Sequence, residues 1–227
     1  MDLVYLTKRE ILNDNIELRY SLRSAEKNLK FDNVFLIGYK PDFIKNVNFI
    51  KYNDIKNNKY NNVYEKMKII LETKEISDNF ILSNDDFFIL KEYNEIPYYY
   101  KGTLEYYYMN YQYKESYYYK EGIKKLYEEF KNGLFFGVHF PIVYNKEKLK
   151  FIIDKYKSNT MLRSYYCNYF IKEINPVFTD DFKILDVKEI EKYNNCPFIS
   201  TTNLVASTTE FKSFINNKFC NPSKYEL

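Results

Sequence analysis

The residues of this sequence best suited to chemistry are two adjacent carboxylates, Asp85 and Asp86, which follow the apolar run Phe80-Ile81-Leu82 and precede another that begins at Phe87. Oxygen ligands so placed suit a hard divalent cation, Mn2+ or Mg2+, which takes one or two carboxylates and keeps positions for water and phosphate. A nucleotide diphosphate would complete the shell, and the ion would neutralise charge on the departing phosphate. The rival reading makes the pair a turn cap. The apolar flanks count against it, because like charges beside core strands repel unless a cation or strong donors hold them.

Other polar residues could complete such a site. Arg19 and Arg23 are four apart and share one helical face, where a phosphate or sugar acid could be gripped; alternatively they pair with Glu17 and Glu26. Lys59, Asn61, Asn62 and Lys66, near the expected start of a helix, could reach a diphosphate. His139 is the sole histidine, which removes any three-histidine metal site and leaves at most one imidazole for acid or base work. It stands among apolar neighbours in Gly137-Val138-His139-Phe140-Pro141, where simple packing competes with catalysis. The Tyr-rich run from Tyr98 to Tyr119, with Lys101, Lys114 and Lys120 interleaved, could stack sugar rings or nucleobases, or could reflect composition alone. No Gly-x-Gly-x-x-Gly, Walker loop or Gly-x-Ser-x-Gly elbow occurs.

These groups need elements to hold them. Leu3 to Leu6 predicts a buried first strand that opens into a loop at Thr7 and Lys8. Asp14 and Glu17 predict a capping box for an amphipathic helix over 15–29, with Leu18, Leu22, Ala25 and Leu29 on its apolar stripe. Val34 to Ile37 predicts a second strand ending at Gly38, Phe49 to Tyr52 a third, and 62–74 a second helix. Phe80 to Leu82 predicts a strand running straight into Asn84-Asp85-Asp86. Strands alternating with helices make a mostly parallel sheet, and such sheets bind ligands beyond the carboxyl ends of their strands. Past residue 95 the pattern changes: Gly122 to Lys131 and Lys146 to Tyr156 read as helices, and Phe135 to Phe140 as a strand carrying His139.

Composition bounds the rest. A chain of 227 residues, 45% hydrophobic and 29% charged, is long enough to bury one substantial core. A net charge of +3 gives no field strong enough to steer the protein onto duplex nucleic acid by charge alone. Cys167, Cys196 and Cys220 form no Cys-x-x-Cys pair, which argues against a disulfide framework or zinc site and suits a reducing cytoplasm. No window approaches the roughly 18 apolar residues of a membrane span.

The run Asn15 to Lys27, NIELRYSLRSAEK, resembles the NDELRYSLRSIEK motif of the Stealth family of capsular-polysaccharide and related sugar-phosphate transferases. Phe80 to Phe88, FILSNDDFF, is similar to that family's FIYLNDDFF, and His139-Phe140-Pro141 to its His-x-Pro segment. Arg163 to Phe170 resembles its last region. The likeness covers most of residues 2–141. It implies an α/β glycosyltransferase-A-like fold, a Rossmann-like mixed sheet flanked by helices, with a Tyr-rich, mostly helical acceptor subdomain. Residues 1–95 would be the nucleotide-sugar-binding half and 96–227 the acceptor half, packed on the same core. It further implies transfer of hexose-1-phosphate from a nucleotide sugar, a UDP-sugar favoured, to a hydroxyl of a saccharide or other acceptor. Mn2+ or Mg2+ would sit on Asp85 and Asp86; Tyr5, Thr7, Lys8, Arg19, Arg23, Asn61, Lys66 and Asn84 would bind the donor; His139, Asp86 and Arg163 would be catalytic. The sequence departs from the family at Tyr5-Leu6-Thr7-Lys8, where the family carries Thr-Trp-Val-Asp-Gly. The missing acidic residue leaves plain glycosyl transfer open beside sugar-phosphate transfer. An alternative from another class is a nucleic-acid-directed protein, such as a glycosyltransferase acting on modified DNA bases, motivated by the Tyr/Lys interleaving and the basic stretch Lys146 to Lys157.

Overall fold

The computed structural model describes residues 1–9, 14–55, 59–110, 117–156 and 161–227. The first half alternates strand and helix: β1 (Asp2–Leu6), α1 (Ile16–Asn28), β2 (Val34–Gly38), β3 (Asn48–Lys51), α2 (Lys59–Glu72) and β4 (Asn79–Ser83). Short strands β5 (Phe87–Ile89) and β6 (Tyr98–Tyr100) lead to helices α3 (Leu104–Asn110) and α4 (Tyr117–Glu129). Then come β7 (Ile142–Asn145), α5 (Lys146–Tyr156), α6 (Leu162–Tyr169), β8 (Pro176–Phe178), β9 (Phe198–Ser200), α7 (Asn203–Ala206) and α8 (Thr209–Lys218).

Five strands form the main sheet in the order β3-β2-β1-β4-β7. The first four are parallel, and β7 runs antiparallel to β4, with Phe80 opposite Tyr144 and Ile81 opposite Val143. β1 and β2 are buried along nearly their whole length because helices cover both faces, whereas β3 is an exposed edge. Side chains alternate between two cores. Val4, Phe35 and Phe80 face Met67, Ile70, Leu149 and Ile152 of α2 and α5, while Leu3, Tyr5 and Leu36 face Leu18, Leu22 and Ala25 of α1. A third cluster joins Phe88 and Ile199 to Phe211 and Ile215 of α8.

The register sets where chemistry can occur. Tyr5 lies level with both Leu36 and Ser83, so β1, β2 and β4 end side by side. Gly38 at the end of β2 has a φ of 129°, and a Cβ there would come within 2.0 Å of the Thr7 carbonyl oxygen. Only glycine allows the ends of β1 and β2 to approach this closely.

Three local expectations are corrected. The capping box is not the one expected: the N-cap of α1 is Asn15 and not Asp14, both take left-handed backbone conformations, the Asn15 side chain makes no cap hydrogen bond, and Glu17 is buried. The Asn15 side chain instead donates to the Lys8 carbonyl, tying the end of the loop back to its start. Phe135 to Phe140 is not a strand. Val138 N–H donates to the Phe136 carbonyl and Phe140 N–H to the Val138 carbonyl, successive three-residue turns that fold the chain tightly. Its apolar residues have another cause: Phe135 and Phe136 fill one core and Val138 and Phe140 the other, so the segment crosses between them. The third is a gain, since β7, only four residues long and running directly into α5, completes a sheet that the sequence shows only in its first half.

Candidate active site

Asp85 and Asp86 form the turn between β4 and β5 at the carboxyl end of β4, which Phe87 N–H closes on the Asn84 carbonyl at 3.3 Å. Helix α1 fixes the strand that leaves this turn. Ser21 Oγ donates to the Phe87 carbonyl at 2.6 Å and lies 3.0 Å from the hydroxyl of buried Tyr5. Ser24 Oγ accepts from Ile89 N–H at 3.0 Å, and the Asn28 amide donates to the Ile89 carbonyl at 2.6 Å. Positions 21, 24 and 28 share one helical face, so a single polar stripe on α1 satisfies one edge of β5. The other edge pairs with β9, Phe87 opposite Ser200. Held on both sides, the carboxylate turn is rigidly placed.

Around Asp86 the structure gathers charge from distant parts of the chain. Burial raises the Asp86 carboxyl above the ordinary carboxylate range, opposed by the charge of Lys183, by His139 when its ring is protonated, and by the charge of Lys59. His139 is fixed by Asp181, which accepts from its backbone N–H at 3.0 Å and sits 2.8 Å from Nδ1. Lys101 donates to the same Asp181 at 2.6 Å. Burial works to raise the Asp181 carboxyl, yet the hydrogen bond from His139 and the Lys101 charge outweigh it and hold this acid well below its usual range. Lys183 Nζ lies 3.2 Å from His139 Nε2, and the Phe87 ring meets the imidazole edge-on with centroids 6.0 Å apart.

Other expected residues take various places. Arg163 stays near His139 without presenting itself as an acid or base: it donates to the Val138 and Phe140 carbonyls, gripping the peptide on either side. Arg19 and Arg23 are not brought to Asp85 and Asp86. Arg19 bonds Glu226 at 2.5 Å, and Arg23 bonds the same carboxylate from Nε and Nη2 at 2.7 Å. Thr7 Oγ1 donates to the Tyr39 carbonyl at 2.6 Å, a link between the ends of β1 and β2. Lys66 is buried, donates to the Thr7 carbonyl and pairs with Asp54 at 2.7 Å. Tyr5 belongs to the core, whereas Lys8 and Asn84 are exposed and Asn61 is half-buried.

The Tyr-rich run is largely spent on packing: Tyr107 packs tilted against Phe135 with centroids 4.1 Å apart and Tyr108 stacks on Tyr127 at 4.7 Å, while Tyr106, Tyr117 and Tyr118 remain exposed. Lys114 and Lys157 lie outside the described residues. Two surface cavities, of about 360 and 540 Å3, lie elsewhere, and neither is lined by Asp85, Asp86, His139 or Lys183.

Among the described residues no three His, Cys, Asp or Glu side chains converge as a self-sufficient metal cage. The donor set does fit an ion that completes its shell with phosphate and water. Asp86 offers a half-buried carboxylate whose charged form burial disfavours and a cation would favour, and Asp85 stands next to it.

Comparison with solved structures decides the fold. The galactosyltransferase LgtC in complex with donor and acceptor sugar analogues superposes with a TM-score of 0.54 at 9% identity, over 99% of this chain and 98% of that one. Its Q189E active-site mutant gives 0.52 at 9% identity, with the same shares covered. The chain has the glycosyltransferase-A fold. Neither a protein-family model nor a curated protein matches the sequence. Within this fold the carboxylate turn follows the fourth strand of the sheet, and the β5–β9 pair brings Lys183 and Asp181 beside it.

Sequence reasoning missed Lys183, Asp181, Ser21, Ser24 and Asn28. The last three had a signal, polar residues three and four apart on a helix whose neighbours are apolar. Lys183 and Asp181 had none, being one lysine and one aspartate among the 34 basic and 31 acidic side chains of the chain.

Proposed function

We propose that this protein is a metal-dependent transferase that takes a nucleotide sugar, a UDP-sugar favoured, and transfers a glycosyl or hexose-1-phosphate group to an acceptor hydroxyl, most simply that of a saccharide. One observation carries the reading: in a glycosyltransferase-A fold, the Asp85-Asp86 turn stands at the carboxyl end of β4 with Asp86 half-buried and the charges of Lys183 and Lys59 acting on it. Asp85 and Asp86 would hold Mn2+ or Mg2+, which when bound supplies positive charge for the leaving diphosphate.

The remaining groups act through position and charge. Rigid support of the turn by α1 and β9 keeps the carboxylates in place before donor arrives, so little reorganisation is left for the reaction itself. Partial burial of Asp86, His139 and Lys183 strengthens the charge interactions among them. Lys59 at the start of α2 adds positive charge on the side of the sheet where β1 and β4 end.

The test titrates Mn2+ and a panel of nucleotide sugars into wild type and Asp86→Ala by calorimetry. Metal-dependent donor binding that the variant loses supports the reading. Equal donor affinity in both proteins, or none in wild type, would sink it.

A further inference from the structure

Lys183 is the charged group that the reading above leaves without a task. Its backbone is registered against the site: Ile184 N–H donates to the Ser200 carbonyl at 2.9 Å and Ser200 N–H to the Phe182 carbonyl at 3.0 Å. Lys183 therefore bridges to Ser200, which pairs on its other side with Phe87, the residue after Asp86. Two strand steps fix the ammonium group relative to the carboxylate turn.

The partner of Lys183 differs from those of other sheltered cations. Lys66 has Asp54, Lys101 has Asp181 and Arg23 has Glu226, each a carboxylate within ion-pair reach, while Arg163 and Lys146 are committed to backbone carbonyls. Half-buried Lys183 instead lies 3.2 Å from the His139 ring nitrogen. An ammonium group can only donate, so Nε2 must accept, and the ring proton is on Nδ1, facing Asp181 at 2.8 Å. The one lone pair of His139 is thus aimed at Lys183 and is not free to take a proton from an acceptor hydroxyl.

Lys183 acts electrostatically on Asp86, and the strand register places both at the same end of the sheet. A carboxylate and an ammonium group so placed suit a ligand that is itself cationic at one end and anionic at the other, as a divalent ion on a diphosphate is.

We infer that Lys183 is the protein's own cation for the donor diphosphate, aimed by the Asp181–His139 pair, with His139 a positioning residue and not the base. This deepens the transferase reading and rests on it. An ammonium group has two N–H bonds left after His139 for phosphate oxygens, and one charge-assisted hydrogen bond of this kind carries roughly a tenfold or greater effect on affinity.

The experiment measures binding of UDP, GDP, ADP and CDP and of the matching monophosphates by calorimetry at fixed Mn2+, in wild type and in Lys183→Gln, with circular dichroism to confirm folding. The expected result is a loss of about tenfold or more for the bound diphosphate and a change within about threefold for its monophosphate. Lys183→Arg, which keeps the charge, should retain most of the preference for diphosphate and serves if the Gln variant does not fold. For His139→Asn the expectation is a weaker diphosphate affinity in the same direction and a kcat/KM pH profile of unchanged shape, since no titrating base has been removed. Undiminished diphosphate binding in Lys183→Gln, or an equal loss for both ligand classes, overturns the inference while leaving the transferase reading intact. Disappearance of a pH limb in His139→Asn would assign it the base role and overturn the positioning claim. Absence of diphosphate binding in wild type removes both.

Discussion

Two charged clusters in this molecule use the same kinds of residue to opposite ends. Where the C-terminal segment docks on α1, Arg19 and Arg23 converge on Glu226, whose side chain is 1% exposed and also accepts from the Ser223 backbone at 2.9 Å. Every charge there is answered by a partner in contact. At the carboxylate turn, half-buried Asp86 faces the charges of Lys183 and Lys59, and Lys183 is bonded to an imidazole. A carboxylate committed to two arginines stabilises the fold, whereas one set beside cations at a strand end keeps binding capacity for a ligand. The contrast separates scaffold from site more sharply than residue type does, since arginine pairs and aspartate pairs look equally functional in a sequence.

Five measurements would break or sharpen it. The largest effect is expected at the carboxylate turn: Asp86→Ala should lower nucleotide-sugar turnover on the order of a hundredfold or more in steady-state assays with Mn2+. Asp86→Asn should at the same time raise Tm by about 2 °C or more, because it removes a charge that burial penalises. Next comes the satisfied cluster, where Glu226→Gln strands two arginines and should cost about 3 kcal/mol in urea unfolding while leaving turnover per folded molecule unchanged. A fall in turnover to match that of Asp86→Ala would erase the distinction.

A smaller effect concerns acid. Burial would raise the Glu226 carboxyl, but the hydrogen bonds from Arg23, Ser223 and Arg19 prevail and hold it down to about 2 from an ordinary 4.5. Its pKa is therefore lower folded than unfolded, so the stabilisation is present above pH 4.5 and drains away as pH falls towards 2. Urea midpoints taken across that range should fall more steeply in wild type than in Glu226→Gln. The smallest effect belongs to a pair outside both clusters: Lys192→Ala removes the exposed contact with Glu189 and should leave Tm unchanged within error.

Much of the scaffold is legible along the chain. Periodic apolar positions mark α1, α2 and α5 to within a few residues, and unbroken apolar runs mark β1, β2 and β4, because a central strand covered on both faces cannot carry polar residues. Short elements escape for the same reason. β7 and β9 are too brief to show a period, and they join partners far away in sequence. Phe135 to Phe140 misleads because a segment that crosses between two cores is as apolar as a strand. At the site, Asp85 and Asp86 are readable from their flanks and His139 from its rarity, but their neighbours Asp181 and Lys183 are not.

What the sequence determines by itself is the set of local rules: which stretches must be buried, and that two carboxylates interrupt one of them. These follow from hydrophobicity and hydrogen-bond satisfaction, which act on a residue wherever it is found. Which charges would be spent on each other was decided only by the tertiary structure. Arg19 meets Glu226 across 207 positions and His139 meets Asp181 across 42. Electrostatic energy depends on distance and desolvation in space, and neither is a property of order along the chain.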